Sequence, residues 1–413
     1  MNSNLAFSLN PCLARAPARA LARGRQRRLQ KKSTLVRSAL SSKQPTEEGA
    51  AGVGASGDPF SSMMNFISDV NPLASVFKSP DDKLHVHFGA GRLGFGLVLP
   101  ALESSGSPYV IMNRPSKVWH PIIAGEEETQ QHVAVKINGE CSCGGRGLHV
   151  ITEADIRARE DGVLGCLKQG LDNGARGFLL LSMDVDLTAP LVSQATSFSC
   201  ALGPAVDVLV NLLVNLPDCE DESRPVLYAC ENDHSSVEKL QFALRTKIEA
   251  VPCMVDRICV DLQVTDDGRE VAVTAEGHEG SIVVLNQPES GEGADGDGPL
   301  AGDYVSNPDN EKDSRYLYRK KLLTVNGMHT VIAFRTLCSY AQNQRNFQPP
   351  EKCLAIPLLD DETVTEEQRK EIWTWGVAQL LVLMWEHGLP TMMRVHNKES
   401  ADELIPFLLD QLR

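Results

Sequence analysis

The chain has 413 residues, 42% of them hydrophobic and 23% charged; that is enough for two domains, or one large domain with an appendage, and it excludes a wholly disordered chain. No uninterrupted apolar stretch reaches the roughly 18 residues that span a bilayer, and the run from Val377 to Trp385 carries a Gln and reads as the buried face of a helix, so a soluble protein with no membrane partner is expected. The net charge of −14 is uneven: the first 46 residues hold ten Lys or Arg and no Asp or Glu, which leaves −24 on the rest, a body that repels phosphate backbones and argues against a nucleic-acid partner.

That basic start, with Arg15, Arg19, Arg23, Arg25, Arg27, Arg28, Lys31, Lys32 and Arg37 among Ala, Ser and Leu, has the composition of an organelle transit peptide and lacks the apolar core of a secretory signal. The alternative is a basic tail that binds an acidic partner. Val36-Arg37-Ser38-Ala39 points to the chloroplast stroma, with the mitochondrial matrix as the alternative. The 11 Cys are spread thinly and read as free thiols; Cys141 and Cys143 form a lone C-x-C with no second pair at zinc spacing, so a surface loop and no metal are expected.

Residues 1–46 are therefore read as the transit peptide. The Gly-, Ser-, Ala- and Pro-rich stretch 47–82 follows as a disordered linker. Leu84 to Phe88 has a strand pattern, Leu93 to Glu103 a helix pattern ended by Gly106 and Pro108, and Tyr109 to Met112 a second strand pattern. Thr152 to Gly170 is predicted as a helix, Gly177 to Met183 as a buried strand, Ala205 to Leu216 as a helix and Val226 to Cys230 as a strand. This alternation implies an α/β fold with a mostly parallel, doubly wound sheet over 83–285. Residues 286–313, acidic and dense in Gly and Pro, read as a flexible loop. A smaller, mostly helical domain over 314–413 is built from predicted helices Glu311 to Gln342, Glu366 to His387 and Ser400 to Leu412. Thr365 and Gln368 offer a capping box to the middle helix, Gly388 and Pro390 its stop, and Trp373, Val377, Leu380, Leu381, Met384 and Trp385 a core stripe.

Phe88-Gly89-Ala90-Gly91-Arg92-Leu93-Gly94 follows the first strand and opens a helix. In that context G-x-G-x-x-G is the fingerprint of a Rossmann-like dinucleotide site: Gly89 for the tight turn, Gly91 for close approach of a pyrophosphate, Gly94 for helix packing. Nineteen residues past Gly94 stands Asn113, followed by Arg114, where an NAD site would place a carboxylate against the ribose 2′-hydroxyl. Asn113 can bond either ribose form and Arg114 can pair with a 2′-phosphate, so NADP(H) is favoured over NAD(H); Arg114 as a solvated loop charge is the plain alternative.

Lys321-Leu322-Leu323-Thr324-Val325-Asn326-Gly327-Met328-His329 is the remaining polar cluster. On an α-helix Lys321 and Asn326 are about 500° apart and His329 roughly another 300° on, so a shared side is loose, and spacing alone favours an ordinary amphipathic helix.

The Gly89 fingerprint, Ala229-Cys230-Glu231-Asn232, Met254-Val255-Asp256-Arg257-Ile258 and the K-x4-N-x2-H of Lys321, Asn326 and His329 occur in an order that resembles the polyol-specific long-chain dehydrogenases. Val273-Thr274-Ala275-Glu276, Gly280-Ser281-Ile282-Val283 and Ala201-Leu202-Gly203-Pro204 are similar to further family segments, and the likeness runs from Lys83 to Tyr340. The resemblance implies metal-free hydride transfer between a nicotinamide and a polyol or polyol phosphate. In that scheme Lys321 is the general base, Asn232 and Asn326 donate to the alkoxide-like oxygen, His329 positions a hydroxyl, and Asp256 serves orientation or proton traffic. The Cys-Glu-Asn and Thr-Val-Asn surroundings are closer to the phosphate branch, with a ketose phosphate such as fructose 6-phosphate as the expected substrate; Arg315, Arg319, Lys320 and Arg335 are candidate phosphate cations by location. Three departures stand out: Asn113 where the family usually has an acid, Gly280 where it has Trp, and only 84 residues after His329. The last keeps open a non-catalytic dinucleotide-binding sensor or assembly protein derived from the same family. The sequence does not speak to oligomeric state.

Overall fold

The computed structural model describes residues 83–124, 132–219, 224–288, 298–343 and 365–412. The transit and linker expectations, and the acidic loop over 289–297, lie outside them. All described residues belong to one compact unit spanning Ser68–Arg413.

In chain order the strands are β1 (His85–Phe88), β2 (Tyr109–Met112), β3 (His132–Ile137), β4 (Glu140–Cys141), β5 (Leu148–Thr152), β6 (Gly177–Leu181), β7 (Ser197–Cys200), β8 (Val226–Ala229), β9 (Glu249–Asp256), β10 (Cys259–Val264), β11 (Glu270–Ala275), β12 (Ser281–Val284) and β13 (Val305–Ser306). Strands β6-β2-β1-β7-β8-β9 lie side by side and all parallel, the 3-2-1-4-5-6 order of a Rossmann sheet, with β5 added parallel outside β6. The order reverses between β1 and β7, so the carboxyl ends of those two strands form the crevice where ligands bind in such sheets. Beyond β5 the sheet curls through β3, β11 and β10; beyond β9 it continues through β12 and β13. Two apolar layers cover its faces, one centred on Phe95, Leu99, Ile111 and Tyr228, the other on Phe88, Leu180, Phe198 and Leu227.

β1 reads His-Val-His-Phe, with two wholly buried polar side chains. They are satisfied by β7, whose Ser197 and Ser199 lie in register with His85 and His87. The carbonyl of Gly89 can only accept, so His87 Nε2 donates to it at 3.2 Å and His87 Nδ1 accepts from Ser199 Oγ at 2.7 Å. Ser199 Oγ then accepts from His85 Nε2 at 2.7 Å, and His85 Nδ1 accepts from Ser197 at 2.9 Å. Each ring uses one donor and one acceptor and stays neutral: burial holds His85 well below the ordinary histidine value and brings His87 down to about 4. The result is a one-way chain of hydrogen bonds that ends on the first fingerprint glycine.

Besides a single turn over His120–Ile123, the helices are α1 (Leu99–Ser105), led in by a π turn over Gly94–Val98, α2 (Glu153–Arg157), α3 (Gly162–Asp172), α4 (Val185–Gln194), α5 (Val208–Leu213), α6 (His234–Leu244), α7 (Glu311–Lys320), α8 (Gly327–Asn343), α9 (Glu366–His387), α10 (Leu389–Val395) and α11 (Ala401–Asp410). The single helix expected over 152–170 is two: Thr152 caps α2 in a box with Asp155, and Gly162, at φ 59°, breaks the chain before α3. The helix expected over 205–216 shortens to α5. Part of the acidic loop is built into the fold, since Leu300 is buried, Ala301 N–H donates to Ala101 O at 3.0 Å and β13 pairs with β12.

The capping box of Thr365 and Gln368 forms as expected, at 2.9 and 3.2 Å. The core stripe of α9 does not run as expected: Ile372, Gly376, Leu380 and Leu383 are buried, while Leu381 and Trp385 are 59% and 86% exposed. The helical region has its own core of Tyr316, Leu380, Leu383, Met392, Leu404 and Leu408. Asp313, buried on α7, accepts from Arg394 on α10, and Tyr316 shares a hydrogen bond with His396 at 2.8 Å. α7 is seated on the sheet where Leu317 and Tyr318 pack against Met254, Val283 and Leu285. That seating brings the end of α7 to β9. No helix among the described residues is long and apolar enough to cross a membrane.

Candidate functional site

The glycine-rich turn leaves β1 at the point where the strand order reverses. Gly89 has φ 120°, and a Cβ there would stand 2.5 Å from Ala201 O, at the end of β7. Only glycine fits both the angle and the neighbour. Gly94 is closed in from the other side, because its Cβ would fall inside contact of Gly89 O and 3.1 Å from His87 Nε2. Gly91 differs: nothing lies within 4 Å of where its Cβ would be, and both it and Arg92 are exposed. An open glycine between two packed ones leaves backbone accessible to a pyrophosphate, so the residues present fit a dinucleotide on their own geometry. Ala90 is buried and Leu93 half-buried, and Arg92 donates to Val260 O at 2.8 Å, tying the turn to β10.

Asn113 and Arg114 follow β2, next to the turn: Gly89 N–H donates to Met112 O and Asn113 N–H to Leu180 O, each at 2.9 Å. Asn113 is half-buried and Arg114 exposed. On the other side of the crevice Glu231, buried after β8, accepts from Leu202 N–H at 2.5 Å and Gly203 N–H at 2.9 Å. Burial raises its carboxyl, against those donors, which favour the charge. Glu231, inside the Cys-Glu-Asn motif, pins the turn after β7.

Lys321 follows directly on α7 and is buried. Its Nζ donates to Val255 O on β9 and to Asn232 Oδ1 at 3.0 Å. Burial lowers its pKa below the ordinary lysine value, with the Asp256 carboxylate pulling the other way. Lys320 is shifted down by the same two causes in the same order. Asn232 uses its oxygen on Lys321, which leaves its amide N–H pair for another acceptor.

The chain from Lys321 to Asn326 is not α-helical. It is wound as a π turn, and Gly327 N–H donates to Leu322 O, five residues back. In such a turn the hydrogen bonds reach five residues back, so angles counted at α-helical spacing do not describe Lys321–Asn326. Asn326 and His329 are exposed. His329 shares a cleft of about 340 Å³ with Asp256, Lys320, Glu276, His278 and Thr324. Of the four candidate phosphate cations, only Lys320 lines this cleft. Arg319 is held by both oxygens of Glu386 at 2.8 and 3.0 Å, Arg315 pairs with Glu311 at 3.7 Å, and Arg335 pairs with Glu371.

Gly280, at φ 84°, has a practical reason for lacking a side chain: a Cβ would stand 2.7 Å from Asp256 O and 2.8 Å from Arg257 Cβ. Arg257 in turn donates to Gly96 O, so the strand carrying Asp256 is linked to the fingerprint helix. A residue that no sequence pattern marked is His234, first in α6, whose ring stacks on Tyr318 with centroids 4.7 Å apart. Among the described residues no group of three His, Cys, Asp or Glu is placed to hold a metal ion.

No family model matches the chain, and no curated protein does. Among solved structures the chain is similar to octopine dehydrogenase in complex with NADH and pyruvate, at 9% identity and a TM-score of 0.37, covering 65% of this chain and 58% of that one. It is also similar to NADP+-bound yersinopine dehydrogenase, at 10% identity and a TM-score of 0.34, covering 80% and 99%, and to the reductive aminase from Aspergillus terreus with NADPH and ethyl-5-oxohexanoate, at 12% identity and a TM-score of 0.29, covering 80% and 93%. The chain thus spans less than two thirds of the octopine dehydrogenase it resembles.

Proposed function

We propose that this chain is a metal-free, NADP(H)-dependent oxidoreductase that moves hydride between a nicotinamide and the CH–OH carbon of a polyol or polyol phosphate. It works as a reductase on a ketose phosphate of the fructose 6-phosphate type, in the manner of a mannitol-1-phosphate dehydrogenase. The observation that carries this reading is the buried Lys321 amine, bonded to Asn232 at 3.0 Å and beside Asp256, on the same rim as the open glycine turn. NADP(H) is favoured because Asn113 and Arg114 stand where a carboxylate would repel a 2′-phosphate. The basic first 46 residues fit delivery to the chloroplast stroma.

The nicotinamide, when bound, supplies the hydride donor or acceptor. The chain's own part is the proton and the charge. In alcohol oxidation the neutral Lys321 Nζ takes the hydroxyl proton, and burial shifts the amine toward that neutral form, with the Asp256 carboxylate opposing it. The free N–H groups of Asn232 donate to the oxygen as negative charge develops on it, and Asn326 adds a second donor from the π turn. His329 reaches a further substrate hydroxyl from the cleft wall, and Lys320, in the same cleft, offers N–H donors to an anionic group.

The test mixes the full-length protein with NADPH or NADH and a panel of ketoses and their phosphates, following loss of reduced cofactor. NADPH oxidation that requires fructose 6-phosphate is the expected result. NADPH binding without oxidation across the panel overturns it and favours the non-catalytic sensor.

A further inference from the structure

A buried general base must exchange its proton with water on every turnover. Both partners of Lys321 Nζ, Val255 O and Asn232 Oδ1, are acceptors that cannot carry a proton onward. We propose that the stacked pair of His234 and Tyr318 forms the way out, with His234 as the positioning residue that shuttles the proton between Lys321 and bulk water. This rests on the reading of Lys321 as the base.

The placement follows from three features. His234 lies two residues after Asn232, which holds the amine, and it opens α6 behind the Asp233 cap. Tyr318 lies three residues before Lys321 on α7, so the two share a helix side, and its ring covers the imidazole with 23° between the planes. Tyr318 also lines an open cleft of about 710 Å³ with Lys312, Arg315 and Thr391, and His234 is itself only half-buried, so the pair borders solvent.

The charges around His234 suit a transient carrier. Burial lowers its pKa first and the Lys321 ammonium lowers it further, while Glu238 and Asp233 on its own helix favour the imidazolium. Beyond Tyr318 the cleft adds Lys312, Arg315, Arg319, Glu386 and His387, and Asp256 on β9 faces Lys321 from the opposite side. After an alcohol is oxidised, Lys321 holds one extra proton as an ammonium. That proton moves to the open lone pair of the neutral imidazole, Lys321 returns to the amine, and the half-buried imidazolium releases the proton to water. In ketone reduction the same transfers run backwards.

Two measurements on the full-length protein test this. Histidine NMR titration without cofactor is expected to show His234 titrating below the ordinary histidine value, and moving up in Lys321→Met, where the neighbouring charge is gone. This readout leaves His234 itself unaltered. In turnover assays His234→Asn is expected to lower kcat by about tenfold, with ketose KM little changed, a larger solvent deuterium isotope effect and partial rescue by added imidazole. A His234 titration that ignores Lys321→Met, a His234→Asn kcat equal to wild type, or a loss that imidazole leaves untouched overturns the proposal. The same signature appearing in Asp256→Asn and not in His234→Asn overturns it in favour of a path through Asp256. Turnover surviving in Lys321→Met would instead overturn the reading of the base, so the two failures are distinguishable.

Discussion

Lys321→Met is expected to abolish ketose-dependent NADPH oxidation, by a factor of about 10² to 10⁴ or more, while leaving NADPH affinity near that of the wild type. The separation follows from position. The open glycine turn lies after β1, whereas Lys321 reaches the rim from the end of α7 and bonds only to β9 and Asn232. Methionine keeps much of the lysine stem's volume and cannot accept the proton. The fold should tolerate the exchange, and the sign of the pKa shift says why: the folded value is lowered, so once the pH falls below the ordinary lysine value the unfolded chain binds the proton more readily and the folded state is penalised. Methionine carries no such penalty, so its melting temperature at neutral pH should match or exceed that of the wild type. Turnover of Lys321→Met within a few-fold of wild type, measured by the same NADPH assay, would remove Lys321 from the base role.

Gly94→Ala and Gly91→Ala should behave as opposites although they stand three residues apart in one motif. At Gly94 the new methyl would overlap Gly89 O and press on His87 Nε2, so the buried chain through His87, Ser199, His85 and Ser197 loses its last acceptor geometry. Overpacking and a compromised buried hydrogen bond together cost about 2–4 kcal/mol, and NADPH binding should be lost with the turn. At Gly91 the methyl meets nothing within 4 Å, so thermal stability should stay at the wild-type level while NADPH affinity falls, since the methyl occupies the space a pyrophosphate needs. Thermal melts with and without NADPH read both effects. Equal melting temperatures for the two variants, or unimpaired NADPH binding by Gly91→Ala, would contradict the roles given to these glycines.

The parts of the fold with long, regular patterns were legible from the chain alone. β2 runs over Tyr109–Met112 as its apolar run indicated, and the cap of α9 forms from Thr365 and Gln368 because both partners are local in sequence. Leu148–Thr152 was not legible as a strand, since its partners β3 and β6 are distant in the chain and its last residue is also a good helix cap. Leu381 and Trp385 follow the spacing of a buried stripe, yet periodicity cannot say which side of a long helix finds a neighbour.

The site was legible where a motif requires glycine. It was obscured where the backbone departs from α geometry. The chain over Lys321–Asn326 is wound as a π turn, and angles counted at α-helical spacing do not describe it. His234 carried no signal at all, because its significance comes from a ring on another helix.

If burial is what lets Lys321 act as a neutral amine, turnover must follow its titration. The most direct test is the pH dependence of kcat/KM for alcohol oxidation from neutral to alkaline pH. The rate is expected to rise with pH and level off at a pKa below the ordinary lysine value, with ketone reduction falling over the same interval. A rate that is flat across the range, or one that rises only at or above the ordinary lysine value, would contradict it.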